Sequence, residues 1–121
     1  METKKLKVGI LGATGIVGQR FVSLLDGHPW FETVVVAASP RSAGKAYEEA
    51  VRGRWAMETE IPENVKKLIV KGVEDDINKI AKEVDLVFSA LDMDKEQIKK
   101  IEEAYAGRDV AVVSNNSAHR W

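Results

Sequence analysis

The chain has 121 residues, enough for one domain with a sizeable core and too few for two full domains. Its 18 lysines and arginines nearly balance 19 aspartates and glutamates, so nothing in the charge argues for nucleic acid or an anionic membrane as partner. With no cysteine, disulfides, thiolate metal sites and a cysteine nucleophile carried by this chain are all excluded. Runs such as Val34 to Ala38 are far too short to span a bilayer, and Lys4, Lys5 and Lys7 lead into the first apolar stretch without a signal-peptide core. A cytoplasmic location is expected.

Residues 6–12 read as a first strand, and from Gly9, directly after the run Leu6 to Val8, glycines recur at 9, 12, 15 and 18. Where a buried strand turns into a helix, glycine leaves the backbone amides open to a pyrophosphate at the positive end of the helix. The spacing is G-x-x-G-x-x-G and departs from the strict dinucleotide fingerprint, so its context carries the argument. Val17, Phe21, Leu24 and Leu25 predict the apolar stripe of a helix over about 15–27, with Gly27 and Pro29 as its stop. Thr33 to Ala38 predicts a second strand covered on both faces, and Ser39 to Gly44 a loop at its C-terminal end. Between Lys45 and Glu63 only a short helix at Ala46 to Val51 is legible, since Gly53 and Pro62 break anything longer.

Leu68 to Val70 predicts a brief strand, and Ile77, Ile80, Ala81 and Val84 a helix over about 74–83. Asp85 to Ala90 predicts a buried strand whose small terminal residues leave space for a ligand. Asp94 with Gln97 forms a capping-box pattern, and Ile98, Ile101 and Tyr105 a stripe that runs down to Gly107. Val110 to Val113 predicts the last strand, before a polar stretch from Ser114 to Arg120. Strands and helices that alternate in this way predict an α/β fold, a Rossmann-like doubly wound parallel sheet of order 3-2-1-4-5 in a single domain.

An NAD site places an acidic side chain after the second strand, about 20 residues beyond the glycines, to bind the adenosine ribose. This chain has Ser39, Arg41 and Ser42 there, and a guanidinium with two hydroxyls suits a 2′-phosphate, which favours NADP. Gly44-Lys45 is no P-loop, because Ala46 follows the lysine and Ser39 stands where the first glycine belongs.

Four motifs in register, Gly12-Ala13-Thr14-Gly15-Ile16-Val17-Gly18-Gln19-Arg20-Phe21, Ala37 to Lys45, Val87 to Leu91 and Val113 to Arg120, resemble aspartate-semialdehyde dehydrogenase in its archaeal and fungal branch. The resemblance implies NADPH-dependent reductive dephosphorylation of aspartyl phosphate to aspartate semialdehyde, on the route to lysine, threonine and methionine. It also implies a cysteine thioester, a proton-handling histidine and a homo-oligomeric enzyme. Carried over by position, Thr14, Gly15, Ile16 and Val17 would hold the pyrophosphate, and Ser39, Arg41 and Ser42 the 2′-phosphate. Ala90 and Leu91, with Asn115, would line the nicotinamide side, and Arg120 would bind the substrate's phosphate. The chain departs from the family pattern at Asp92, Asn116 and Trp121.

The family's Asn-Cys nucleophile and catalytic histidine lie beyond the motifs matched, and neither His119 nor His28 takes that role. Residues 1–121 are therefore expected to be an NADP-binding domain that lacks the catalytic and dimerisation domain and is inactive alone. Two rivals stay open, an acyl-CoA reductase on the same scaffold and a freestanding nucleotide-binding module. Apolar surface around Tyr105 and Trp121 would make the isolated chain self-associate, and His28 would favour the C-terminus of the first helix through its dipole.

Overall fold

The computed structural model describes residues 6–26, 28–39, 41–58, 60–91, 95–108 and 110–114, and within these a five-stranded parallel sheet has the order β3-β2-β1-β4-β5. The strands are β1 (Leu6–Leu11), β2 (Phe31–Ala38), β3 (Lys71–Gly72), β4 (Leu86–Ser89) and β5 (Ala111–Ser114). The helices are α1 (Ile16–Leu24), α2 (Tyr47–Ala50), α3 (Glu63–Lys66), α4 (Ile77–Glu83) and α5 (Lys95–Ala106). This is the doubly wound α/β fold that the alternation predicts.

Side chains of successive strand residues point to opposite faces, and the two central strands bury both. Val8 and Ile10 of β1, with Val36 and Ala38 of β2, pack under Val22 of α1, Tyr47 of α2 and Val65 of α3. Leu11, Val35 and Ala37 face the other way, against Ile80 of α4 and Ile101 and Tyr105 of α5. Both tyrosines are fully buried, and each donates its hydroxyl to a backbone carbonyl, Tyr47 to Ala13 at 2.7 Å and Tyr105 to Val73 at 2.8 Å.

Three expectations change. The buried face of α1 carries Gly18, Gln19 and Val22, with Leu25 just past its end, while Val17 and Leu24 are exposed. The reason is Gly18, which lies so close to the backbone of Gly12 and Ala13 that it fixes which side of the helix faces inward. Leu68 to Val70 are not the third strand. Gly44 N–H donates to Val70 O and Val70 N–H to Lys45 O, with an antiparallel bridge from Ala46 to Ile69, so the chain enters the parallel sheet only at Lys71. Tyr105 is core, because a phenol on the inner stripe of α5 reaches the Val73 carbonyl, and it offers no surface for association. His28 lies in the turn beyond α1, where its Nδ1 accepts the Trp30 N–H at 3.1 Å. Gly27, Asp94 and Trp121 lie outside the described residues.

Burial raises the phenol pKa of Tyr47 and of Tyr105 well above the ordinary value, and for Tyr105 the nearby Asp76 carboxylate adds to the rise while Arg108 opposes it. A pKa raised by folding means that the neutral phenol stabilises the fold in full below the unfolded value, near pH 10, and that this is lost as pH climbs above it. Stability should therefore fall above about pH 10, by up to roughly 1.4 kcal/mol per pH unit for each tyrosine. Denaturant midpoints measured from neutral pH to about pH 11 check this. A midpoint that stays flat, with tyrosinate absorbance appearing before unfolding, would contradict it.

Candidate functional site

The C-terminal ends of the parallel strands form one edge, where ligands of open α/β sheets bind. Gly12 follows β1 there with φ of +80°, and its N–H and that of Ala13 both donate to Ala37 O, at 2.8 and 3.0 Å. A Cβ on Gly12 would lie 2.7 Å from Ala90 O, so both its backbone angle and the approach of the β4 end call for glycine. Gly15 then caps α1. A Cβ placed on it would meet only Gly12 O, at 3.6 Å, and α1 has neither a side-chain cap nor an acidic residue in its first turn. The positive end of a nine-residue helix is thus left open beside a loop without side-chain bulk, a cradle that fits an anionic phosphate.

A cavity of about 330 Å³ lies against this cradle. Gly12, Thr14 and Gly15 form one wall, Ala38 and Ser39 extend it past β2, and Ala90 and Leu91 come from the end of β4. Thr14, Gly15, Ser39, Ala90 and Leu91 are thereby brought together as expected from the sequence. Ile16 and Val17 open α1, where their side chains are exposed, so they offer backbone amides and no enclosed surface. Arg41 is exposed in the turn after Ser39, whereas Ser42 is buried, with its N–H on Ser39 O at 3.0 Å. Asn115 and Arg120 lie outside the described residues.

Sequence reasoning misses the rest of the wall. Gly72, Val73, Glu74 and Asp75 follow β3, and Gln97 and Ile101 reach in from α5. Gly72 N–H donates to Asp76 Oδ2 at 2.7 Å and Val73 N–H to Ala38 O at 3.0 Å, which ties this turn to the edge of β2. A third strand placed at 68–70 leaves Gly72 outside the sheet; placed at 71–72, it would have brought the turn into view. Glu74 and Asp75 are exposed carboxylates, so the β3 side of the cavity is acidic while the α1 side is positive. No group of His, Asp or Glu able to hold a metal ion occurs among the described residues, and none of their helices is long and apolar enough to cross a membrane.

Residues 7–121 match the family model described as semialdehyde dehydrogenase, NAD binding domain. The chain belongs to that family. Among curated relatives, the aspartate-semialdehyde dehydrogenase of Methanothermobacter thermautotrophicus is 46% identical over 115 residues, covering 95% of this chain and 31% of that protein. The enzyme of the same name from Saccharomyces cerevisiae is 43% identical over 120 residues, 99% of this chain and 31% of that protein. A crystal structure of aspartate semialdehyde dehydrogenase with NADP from Candida albicans superposes with a TM-score of 0.81 at 40% identity, over 96% of this chain and 31% of that one. This NAD-binding domain therefore spans about a third of the length of the relatives it matches. The archaeal and fungal sources of these relatives agree with the branch that the four motifs indicate.

Proposed function

We propose that the chain is the NADP-binding part of an aspartate-semialdehyde dehydrogenase, a homo-oligomeric cytoplasmic enzyme that reduces L-aspartyl 4-phosphate to L-aspartate 4-semialdehyde with release of phosphate. The observation that carries the reading is the open, uncapped N-terminus of α1 beside Gly12 and Gly15, at the edge where the cavity lies. NADPH would bring the hydride, and the residues of this chain bind and orient it. Thr14, Ile16 and Val17 would hold the pyrophosphate through their amides, and Gly15, whose N–H is on Gly12 O at 3.2 Å, would line its approach without a side chain. Ser39, Arg41 and Ser42 would take the 2′-phosphate, and Ala90, Leu91 and Asn115 would flank the nicotinamide. Arg120 would hold the substrate's phosphate. A cysteine nucleophile and a proton-handling histidine would have to come from outside residues 1–121, which hold no cysteine.

One observation favours NADH as a second reading. Glu74 and Asp75 stand on the cavity wall near Ser39, where carboxylates accept hydrogen bonds from a ribose and repel a 2′-phosphate. Calorimetric titration of the chain with NADPH and then NADH decides between them. Tighter binding of NADPH is expected; tighter binding of NADH would transfer the adenosine end to the carboxylates. A folded chain that binds neither would overturn the cofactor assignment itself.

A further inference from the structure

Gln19 and Tyr47 belong to no part of the cavity wall, yet both end on the loop that forms it. We propose that they are positioning residues for the cofactor's pyrophosphate, holding the Ala13 and Thr14 carbonyls on the core side of the glycine loop so that the Thr14 N–H faces the ligand while the Gly15 N–H closes the turn on Gly12 O. This rests on the cofactor reading above.

The Tyr47 hydroxyl reaches Ala13 O at 2.7 Å from 34 residues away in the chain. Its ring is fully buried and meets Trp55 edge-on at a centroid distance of 6.3 Å, so the donor is held from behind. Across a trans peptide the carbonyl and the following N–H point in opposite directions. Fixing Ala13 O toward Tyr47 therefore turns the Thr14 N–H away from the core, on the loop that borders the cavity.

Gln19 fixes the next peptide. Its Nε2 donates to Thr14 O at 3.0 Å and to Arg54 O at 3.1 Å, while Oε1 accepts the Ala56 N–H at 2.9 Å. Only one orientation of the amide satisfies two carbonyls and one N–H, so the side chain, 1% exposed, is locked. The other end of the Thr14 peptide, the Gly15 N–H, sits 3.2 Å from Gly12 O and closes the turn. Burial keeps the Tyr47 phenol protonated through the physiological range, so the donor is constant. Two side chains of different elements thus fix two consecutive peptide planes of the loop, an arrangement that suits amides arranged before the ligand arrives.

The test is Tyr47→Phe, which removes one oxygen. Wild type and variant are titrated with NADPH and with adenosine 2′-phosphate, which keeps the adenosine end and lacks the pyrophosphate; adenosine replaces it if the wild type prefers NADH. The variant is expected to bind the dinucleotide about tenfold more weakly and the adenosine probe unchanged. Unchanged dinucleotide binding, or an equal loss for both ligands, overturns the proposal, the second because a merely structural hydroxyl weakens every ligand alike. Should Tyr47→Phe not fold, Gln19→Met, close in length and without the amide, is read by the same two titrations and the same criteria. Failure of both variants to fold makes the contacts structural and overturns the proposal. A wild type that binds neither dinucleotide overturns the cofactor reading, and this proposal with it.

Discussion

Gly18→Ala is expected to destabilise the fold by about 3 kcal/mol, the upper end of overpacking costs, and to abolish measurable dinucleotide binding. In an ordinary helix interior the same change would stabilise by about 0.5–1 kcal/mol, because alanine is the better helix former. The sign is reversed here by what the methyl meets. A Cβ on Gly18 would fall 2.7 Å from Ala13 Cα and closer still to Gly12 O, all backbone of the loop that turns into α1. Backbone cannot step aside as a flexible side-chain end does, so either α1 shifts outward or the loop opens, and both displace the amides at the cavity. Urea unfolding at unchanged slope, with the midpoint moved down, is the signature to look for. A midpoint at or above that of the wild type would show that α1 does not rest on the loop as described.

Arg41→Ala is expected to weaken NADPH by about 1.5–3 kcal/mol, roughly ten- to a hundredfold, and to leave NADH nearly unchanged. Only NADPH carries the group that a guanidinium would grip after β2, and Arg41 is exposed in that turn. Glu74 and Asp75 on the cavity wall would act on a 2′-phosphate there with the opposite sign. Paired calorimetric titrations give the answer directly, and equal losses for the two cofactors would rule out the assignment of Arg41 to the 2′-phosphate.

The strand order, both central strands and the α5 stripe were legible in the sequence because each rests on a periodicity that burial enforces. Thr33 to Ala38 could only be a doubly covered strand, and Ile98, Ile101 and Tyr105 recur where a helix needs them; all three are buried. The site was half legible. Gly12, Gly15 and Ser39 follow from chemistry written at fixed offsets from a strand, whereas Glu74 and Asp75 depend on where a two-residue strand begins. That start is set by pairing between residues 44–46 and 69–70, a tertiary fact with no local signature. The inward face of α1 was misassigned for a related reason. Apolar spacing pointed to Val17 and Leu24, and the deciding contact belongs to a glycine, which hydrophobicity does not weigh. Gln19 was unreadable in the same way, since a buried amide looks like any surface glutamine until its three partners are assembled.

The parallel pairing at the centre of the sheet also governs the order in which the molecule comes into being. β1 pairs Val8 with Leu86 and Leu11 with Ser89, and the Lys7 N–H reaches Asp85 Oδ2 across a separation of 78 residues. A ribosome delivers the glycine loop early, yet Gly12 rests against the backbone at Ala90, which emerges only after most of the domain has been synthesised. Closing so long a loop costs entropy before any strand contact offsets it, which places the domain among the slower folders of its size. During translation the nascent chain therefore carries its recognition loop for some time without the wall that completes it, with β1 open along one edge to mispairing until β4 arrives.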